Sequence, residues 1–435
     1  MHTWAWISLL CLIFFTILLL LLKKDRTRED IRKAIVTVSC IICIIIAVSI
    51  FHVNYVFALF VGFLATILLD PKTYTKKRLA LYGSLVLIIS IAAYALYRDN
   101  PDYVIKHLKE NPQSSSLYLS ENGEPIITYQ SDVIRPLAST VKIIIALEYA
   151  MQVEKNIVKK DQTVSLDELK RFYLKNSDGG GHEAWLNTME SDGKIQNNEV
   201  SLHDVAKGMI TYSSNANTDY LIHLLGMESI NSRIDQLDLQ QHEDVYPIVS
   251  ALFISQHIQQ TGMDEKELIH ELNEMPIADY RSIAINLSEQ MRTGELNLHD
   301  TTLDLSPALQ RVWSDRLIGA SANNYGKLLA IIANDKLPNV AANTLRDIME
   351  WPMQLNEDNH KRFTHIGSKG GSTLFVLNNA MYAENLNGDQ YEIVYLTDEL
   401  NFIKRLLLTN NRKSFESKLL NQKDYRLKVQ KELSE

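Results

Sequence analysis

Long stretches without a charged residue dominate the first 97 residues and restrict what this chain can fold into. Residues 3–22 contain no Asp, Glu, Lys or Arg, and about 20 helical residues at roughly 1.5 Å each cross the roughly 30 Å hydrocarbon core of a bilayer. Residues 34–69 are uncharged apart from His52, and they are too long for one span, so we expect two short spans with a turn near His52. Residues 79–97 form another uncharged stretch. The sequence therefore predicts a membrane region with four transmembrane helices over residues 1–98.

Basic residues in the short loops predict how these spans are oriented, because cytoplasmic loops collect Lys and Arg. Six basic residues lie between spans one and two and four lie between spans three and four, whereas the turn between spans two and three has none. Both basic loops are therefore expected in the cytoplasm, with everything after Arg98 on the outer side. A cleaved signal peptide is the weaker interpretation, since no basic residue precedes the first apolar stretch and no small-residue cleavage site follows it.

Charge and cysteine content exclude several classes of function. The chain has 44 Lys and Arg against 52 Asp and Glu, a net charge of −8, so it offers no basic field for a nucleic-acid backbone. All three cysteines lie inside the apolar stretches, which leaves the exported part without a disulfide or a thiolate metal site. Each of the three His-Glu pairs lacks the second His of a zinc protease. We therefore expect no nucleic-acid partner, no metal and no cofactor.

Beyond residues 99–114, which we interpret as an amphipathic linker, the pattern places strands at both ends and helices between them. Asn122-Gly123 between two apolar runs predicts a β-hairpin, and a mostly apolar pattern predicts a buried helix that begins near Ala138. Further helices are predicted at 202–211, 218–225, 249–259, 322–333, 341–351 and 402–408, and strands at 116–120, 125–129, 373–377, 380–384 and 391–396. This order predicts an α/β (α+β) domain over residues 115–435, with one antiparallel sheet covered by helices.

Ser139-Thr140-Val141-Lys142 lies at the start of the predicted buried helix. Side chains at i and i+3 share a helix face, so the Lys142 amine can reach the Ser139 hydroxyl. A desolvated lysine with a lowered pKa can take the proton of a serine and make it a nucleophile. The pattern is weak by itself, because Ser191 and Lys194 have the same spacing in a polar segment, and a helix N-cap beside a surface lysine is the plain alternative.

Two further motifs follow in order along the chain. Ser213-Ser214-Asn215 comes after a predicted helix, and Lys369 lies in a Gly-rich segment that leads into an apolar run predicted to be a strand. Each motif alone has an ordinary explanation: S-x-N recurs elsewhere in the chain, and Gly-rich turns often precede edge strands. We interpret residues 178–185 as a surface loop, or else as a rim with Trp185 over the cleft.

Together the three motifs resemble the signature of the serine β-lactamase and penicillin-binding-protein superfamily: S-x-x-K, S-x-N and K-[ST]-G. The resemblance runs from about Ser115 to the C-terminal helix, is closest to a class A β-lactamase domain, and is interrupted by an insertion around residues 261–315. It implies an antiparallel sheet flanked by helices plus an all-helical lobe. Combined with the four predicted spans and their basic loops, the sequence predicts a multi-pass protein of the bacterial cell membrane with an extracytoplasmic catalytic domain.

The resemblance implies a role for each matching residue. Ser139 would be the acylated nucleophile, Lys142 its base, and Ser213 the relay of a proton to the leaving nitrogen. Lys369 would lie near Ser213 and the substrate carboxylate. The implied substrate-binding residues are Asn215, Gly371 and Ser372, with an oxyanion hole from the backbone N–H groups of Ser139 and Ser372.

Three departures from the family pattern matter. Ser214 replaces the Asp of S-D-N, and Gly370 replaces the hydroxyl residue after Lys369, which removes one carboxylate contact unless Ser372 or Thr373 supplies it. No glutamate can be assigned to the activation of a deacylating water, although Glu243 and Glu295 are candidates. Without that group, acylation proceeds while hydrolysis is slow.

The sequence therefore leaves three functions open. We expect a membrane-anchored serine hydrolase that forms an acyl-enzyme with a β-lactam or a peptidoglycan-derived amide. The alternatives are a β-lactam-sensing receptor that is acylated without turnover and a DD-peptidase that acts on cell-wall peptides. The expected partners are the small-molecule or cell-wall peptide substrate and the lipid bilayer, and the oligomeric state stays open.

Overall fold

The computed structural model describes Thr27 and residues 98–260, 262–298, 300–334 and 336–434. Residues 99–435 group into one structural unit. The four predicted transmembrane helices lie outside the described residues. Within the described part, no helix combines the length and the apolar character that crossing a membrane requires.

An antiparallel sheet of five strands forms the centre of the domain, in the order β2-β1-β9-β8-β7. The strands of the structure are β1 (Ser115–Glu121), β2 (Glu124–Tyr129), β3 (Ile134–Pro136), β4 (Thr163–Ser165), β5 (Glu199–Ser201), β6 (Gly319–Ser321), β7 (Phe363–Ser372), β8 (Leu377–Asn385) and β9 (Gln390–Thr397). β3 pairs with β6 and β4 with β5, outside the main sheet. The predicted β-hairpin is confirmed as β1 and β2, and the expected sheet joins strands from the beginning and the end of the domain.

Helices cover both faces of the sheet and build a separate helical region. They are α1 (Asp102–Glu110), α2 (Lys142–Glu154), α3 (Leu166–Arg171), α4 (Gly181–Ser191), α5 (Leu202–Thr211), α6 (Asn215–Leu225), α7 (Met227–Gln236), α8 (Ile248–Gln259), α9 (Glu265–Glu274), α10 (Ile277–Thr293), α11 (Pro307–Ser314), α12 (Ala322–Ala333), α13 (Asn339–Met349), α14 (Trp351–Leu355), α15 (Phe402–Asn421) and α16 (Lys423–Ser434). α1, α15 and α16 pack on one face of the sheet, and α12 packs on the other, where Gly326 lets it approach the Tyr118 ring. The expected α+β architecture is thereby confirmed.

Several boundaries differ from the sequence prediction. The segment 99–114, which we expected to be a linker, contains α1, and α1 packs on α15. The predicted strand at 373–377 is wrong: residues 373–376 form a turn in which the Thr373 Oγ1 accepts the N–H groups of Phe375 and Val376. The insertion forms helices α9 to α11, and the last predicted helix continues to Asn421 and is followed by α16.

Candidate active site

Ser139 lies in a 3-10 turn, Ala138–Val141, that leads directly into α2. Two polar side chains hold the preceding segment in place. The buried Arg135 donates to the Ser116 Oγ at 2.6 Å, and Asn378 of β8 donates to the Pro136 carbonyl at 2.7 Å. Ala138 has a φ of 47°, a conformation that costs energy for a residue with a side chain and that neighbouring contacts must maintain. Ser139 is thereby fixed at the N-terminal end of a buried helix, where backbone N–H groups favour negative charge.

Strand β7 passes directly beside Ser139. A Cβ atom on Gly371 would lie 2.5 Å from the Leu137 carbonyl oxygen and 2.8 Å from the Ser139 backbone nitrogen. Only glycine allows an approach this close. β7 is also an edge strand of the sheet, so one side of it is free to face the space above Ser139. Ser372, at its end, lines the same cavity as Ser139.

Lys142 is completely buried at the first turn of α2. Its Nζ donates to the Ser213 carbonyl oxygen at 2.6 Å and to the Asn215 Oδ1 at 2.8 Å. These contacts, and not one to the Ser139 Oγ, are the short hydrogen bonds of Lys142 among the described residues. Burial lowers the pKa of Lys142 from 10.5 to about 7, an effect that Asp178 and Asp219 partly oppose. A lysine with that pKa is substantially neutral near pH 7 and can act as a base.

Ser213 lies in the short turn between α5 and α6, with a φ of 60°. Its Oγ is 3.4 Å from the Nζ of Lys142 and 3.0 Å from the Nζ of Lys369. The next residue, Ser214, caps α6 by accepting the Asn217 N–H. The turn therefore presents one hydroxyl to two amines, a geometry suited to proton transfer.

Lys369 lies on β7 and is only 4% exposed. Besides Ser213, its Nζ donates to the carbonyl oxygen of Gly370 at 2.8 Å. Burial, and then the charge of Lys142, hold the pKa of Lys369 well below its usual value. Two buried ammonium groups close to one hydroxyl repel each other. The site therefore favours states in which at most one of the two lysines is charged, or in which an anion is bound.

The loop before α4 contributes a residue that the sequence analysis did not assign to the site. Asp178 accepts the backbone N–H groups of Gly181, His182 and Asn215 at 2.9–3.1 Å. It therefore joins the loop to the start of α6. The only indication in the sequence that Asp178 has a special role is that three consecutive glycines follow it. The surface-loop interpretation of residues 178–185 is wrong in part, because Trp185 belongs to α4 and is completely buried.

Of the side chains described above, those of Ser139, Ser213 and Lys369 line a cavity of about 670 Å³, whereas the completely buried Lys142 does not. The polar lining of the cavity includes five residues that belong to the motifs or directly follow them, namely Ser139, Ser213, Asn215, Lys369 and Ser372, and the Ser177–Asp178 segment. Further polar residues of the lining are Asn176, Thr211, Asp304, Gln310, Thr373 and Arg405. The structure therefore brings the three motifs to one place. Trp351 also lines the cavity, and its Nε1 donates to the Ser368 carbonyl.

Neither glutamate candidate for deacylation lies at this cavity. Glu243 accepts hydrogen bonds at 3.0 Å from Arg281 and from the Gly319 backbone N–H, and Glu295 is exposed on the loop after α10. Among the described residues, the carboxylates that line the cavity are those of Asp178 and Asp304. Asp178 is occupied by three backbone N–H groups, and Asp304 is exposed.

The arrangement provides the parts that acyl transfer requires. It has an alcohol at a helix N-terminus, a buried amine of lowered pKa, and a second hydroxyl between that amine and another lysine. No group of three or more His, Cys, Asp or Glu residues that could hold a metal ion occurs in the described part of the chain. The chemistry available from these side chains is that of a serine hydrolase.

Solved structures of known proteins are similar to this chain at low sequence identity. A sequence comparison with curated proteins returns no match. Among solved structures, PBP-A in an acyl-enzyme complex with penicillin G is 15% identical over 73% of this chain and 95% of that chain, with a TM-score of 0.43. A β-lactamase from Chitinophaga pinensis is 14% identical over 73% and 99%, with a TM-score of 0.44. A representative class A β-lactamase from Bacteroides cellulosilyticus is 15% identical over 72% and 99%, with a TM-score of 0.43.

The model of the β-lactamase enzyme family matches residues 102–413, which is more than half of the chain. The matched region includes all three motifs and every side chain of the polar part of the cavity. This chain belongs to the β-lactamase enzyme family.

Proposed function

We propose that the chain is a membrane-anchored, extracytoplasmic serine hydrolase that forms an acyl-enzyme on Ser139 with a β-lactam or a peptidoglycan-derived amide. The observation that carries the proposal is the position of the Ser213 Oγ, within 3.4 Å of the Lys142 amine and 3.0 Å of the Lys369 amine. The plain alternative for Ser139, a helix N-cap beside a surface lysine, does not fit this site because Lys142 is completely buried. The proposed membrane anchor rests on the uncharged stretches before Arg98 and the proposed outward orientation on their basic loops.

In the proposed reaction, the Ser139 Oγ forms a bond to the carbonyl carbon while its proton passes to neutral Lys142. The backbone N–H groups of Ser139 and Ser372 stabilise the oxyanion. As the C–N bond breaks, Ser213 donates its proton to the leaving nitrogen and is reprotonated by a neighbouring lysine. Water later cleaves the ester and restores the serine. We propose that Lys369 binds the carboxylate of the substrate and that Asn215 binds the amide of its side chain.

A second candidate function is favoured by the carboxylates around the cavity. Neither Asp178 nor Asp304 is a free, buried base, and Glu243 and Glu295 lie elsewhere. An acyl-enzyme without such a base hydrolyses slowly, because general-base assistance contributes about 10²–10⁴-fold. A persistent acyl-enzyme suits a β-lactam-sensing receptor, or a DD-peptidase whose natural substrate is a cell-wall peptide.

The test is to incubate the full-length chain, purified in detergent, with a fluorescent penicillin and to follow the label over time. Peptide mass spectrometry locates the labelled residue. We expect label on Ser139 and none in Ser139→Ala. The matched control is Ser191→Ala, because Ser191 and Lys194 repeat the motif spacing on an exposed helix end.

The time course separates the candidates. Rapid labelling followed by loss of label supports a β-lactamase, and persistent label supports a receptor or a DD-peptidase. Labelling that survives Ser139→Ala, or no labelling of the wild-type chain, overturns the proposed acyl-enzyme.

A further inference from the structure

A buried histidine lies beside the turn that carries Ser213, and the proposed reaction does not use it. His182, near the start of α4, is 4% exposed. Its ring packs against those of Tyr173 and Trp185, with ring centroids 5.0 Å and 5.4 Å away. Trp185 is itself held by a hydrogen bond from its Nε1 to the Asp204 carbonyl at 3.2 Å. The two aromatic neighbours therefore hold the imidazole in one place.

The imidazole Nδ1 meets two polar atoms of the segment that follows Ser213. It lies 3.0 Å from the Ser214 Oγ and 3.2 Å from the Asn217 Oδ1. The Asn217 Nδ2 donates to the Val205 carbonyl at 3.0 Å, so the oxygen of this amide is the atom that faces the ring. Because an amide oxygen only accepts hydrogen bonds, the Nδ1 of His182 carries the hydrogen and donates it.

The charge state of His182 fits a donor that takes no part in proton transfer. Burial lowers the pKa of His182, and the carboxylate of Asp178 opposes this effect only in part. A neutral imidazole has a single N–H, and here Nδ1 carries it. The ring therefore acts through this hydrogen bond and through its packing, and not as an acid or a base.

Ser214 connects the imidazole to the Ser213 hydroxyl. The peptide group between Ser213 and Ser214 is held at both polar atoms: the Ser213 carbonyl accepts the Lys142 Nζ at 2.6 Å, and the Ser214 N–H donates to the Gly208 carbonyl at 3.3 Å. Ser213 has a φ of 60°, which costs energy and persists only where neighbouring contacts maintain it. A displacement of Ser214 therefore moves the Ser213 hydroxyl away from its place between the two lysines.

We propose that His182 is a positioning residue of the active site, whose imidazole N–H holds the Ser213–Asn215 turn through Ser214 and Asn217 and thereby fixes the Ser213 hydroxyl. This inference rests on the proposed acyl-enzyme function, in which Ser213 gives its proton to the leaving nitrogen. A displacement of about 1 Å at a reacting group can cost about 10²-fold in rate. The contribution of His182 should therefore be visible in the rate of acylation itself.

The experiment measures the first-order rate constant for labelling by a fluorescent penicillin at saturating concentration, on the full-length chain in detergent. This constant does not depend on the fraction of protein that is folded. His182→Phe keeps an aromatic ring against Tyr173 and Trp185 but removes the donor, and we expect the constant to fall about 10–100-fold.

His182→Asn makes the opposite change. Its Nδ2 lies at the same position along the side chain as the imidazole Nδ1, so the donor is kept while the ring is lost. We expect this variant to retain most of the wild-type rate constant, even where urea denaturation shows a lower free energy of unfolding. If His182 served packing alone, the phenylalanine would be the harmless substitution and the asparagine the damaging one.

His223→Phe is the matched control, because His223 is an exposed residue of α6 that stacks on Phe172 with ring centroids 6.2 Å apart and does not line the cavity. It should keep the wild-type rate constant. A double-mutant cycle gives a second test: in the Ser214→Ala background, His182→Phe should slow labelling much less than it does in the wild type, because its partner is already absent.

Three results would overturn the positioning role while leaving the acyl-enzyme intact. They are an unchanged rate constant in His182→Phe, a loss in His182→Asn at least as large as that in His182→Phe, and full additivity with Ser214→Ala. A wild-type chain that is not labelled overturns the proposed function, and this inference with it.

Discussion

The Nζ of Lys369 lies 3.0 Å from the Oγ of Ser213, although 156 residues separate them along the chain. The contact joins the edge strand of the sheet to a turn between two helices of the helical region. Both amines near Ser213 are buried, and burial lowers the pKa of each. The fold thus holds two weakly basic amines around one hydroxyl, at a position that neither region could create alone.

Removal of the Ser213 hydroxyl should slow acylation without preventing substrate binding. In Ser213→Ala the leaving nitrogen loses its proton donor, and such donors contribute about 10²–10⁴-fold. The measurement is the rate of labelling by a fluorescent penicillin at saturating concentration. An unchanged saturating rate would remove Ser213 from the proposed proton relay.

The acylation rate should rise with pH and level off above about 7. Lys142 acts as a base only in its neutral form, and burial lowers its pKa from 10.5 to about 7. The neutral fraction, and with it the rate, therefore increases about tenfold per pH unit below this value. Stopped-flow labelling between about pH 5 and pH 9 measures the profile. A rate that falls as the pH rises through 7 would assign the base to another group.

Substitution of Gly371 should impair acylation and stability, whereas substitution of the adjacent Gly370 should not. In Gly371→Ala the new Cβ would lie 2.5 Å from the Leu137 carbonyl oxygen and 2.8 Å from the Ser139 nitrogen, so β7 must move away from the nucleophile. We expect at least a tenfold loss of acylation and a loss of about 1–3 kcal/mol in the free energy of unfolding. Labelling kinetics and urea denaturation measure the two effects.

Gly370→Ala is the control for this close approach. The nearest atoms to its new Cβ would be the Asn378 carbonyl oxygen at 3.6 Å and the Asn379 Oδ1 at 3.7 Å, which are ordinary contacts. We expect near-normal labelling and stability. Equal damage from both substitutions would show that the close packing at Gly371 is not what holds Ser139.

A buried ion pair between α2 and α7 should contribute to the free energy of unfolding without affecting the acylation rate. The Arg233 Nε donates to the Glu148 Oε2 at 2.9 Å, and the Glu148 side chain is 5% exposed. Arg233→Ala leaves that carboxylate uncompensated in the interior, which costs about 3–5 kcal/mol. Urea denaturation followed by tryptophan fluorescence measures the loss. Glu110→Ala, which removes an exposed pair with Lys106 at 3.7 Å, should cost at most about 0.5 kcal/mol.

Local patterns determined much of the fold. Asn122-Gly123 between apolar runs is sufficient to predict the β1–β2 hairpin, and the helix that contains Lys142 follows from its apolar residues. The same patterns failed at β7, whose residues Gly367 to Ser372 alternate poorly because glycines must pass close to Tyr382 and to Ser139. The apolar residues after it, assigned to a strand, instead form the turn organised by Thr373.

The sequence by itself determined the identity and local setting of each chemical group: the spacing of Ser139 and Lys142 on one helix, and the order of the three motifs. This is possible because residues three apart share a helix face regardless of the rest of the chain. The family resemblance implied that Lys369 lies near Ser213, and the structure gives the distance between them. Only the tertiary structure decided that Asp178 joins the site and that Glu243 and Glu295 stay outside it. Contacts of that kind depend on how helices and strands pack together, and no local pattern of residues specifies a distance between segments far apart in the chain.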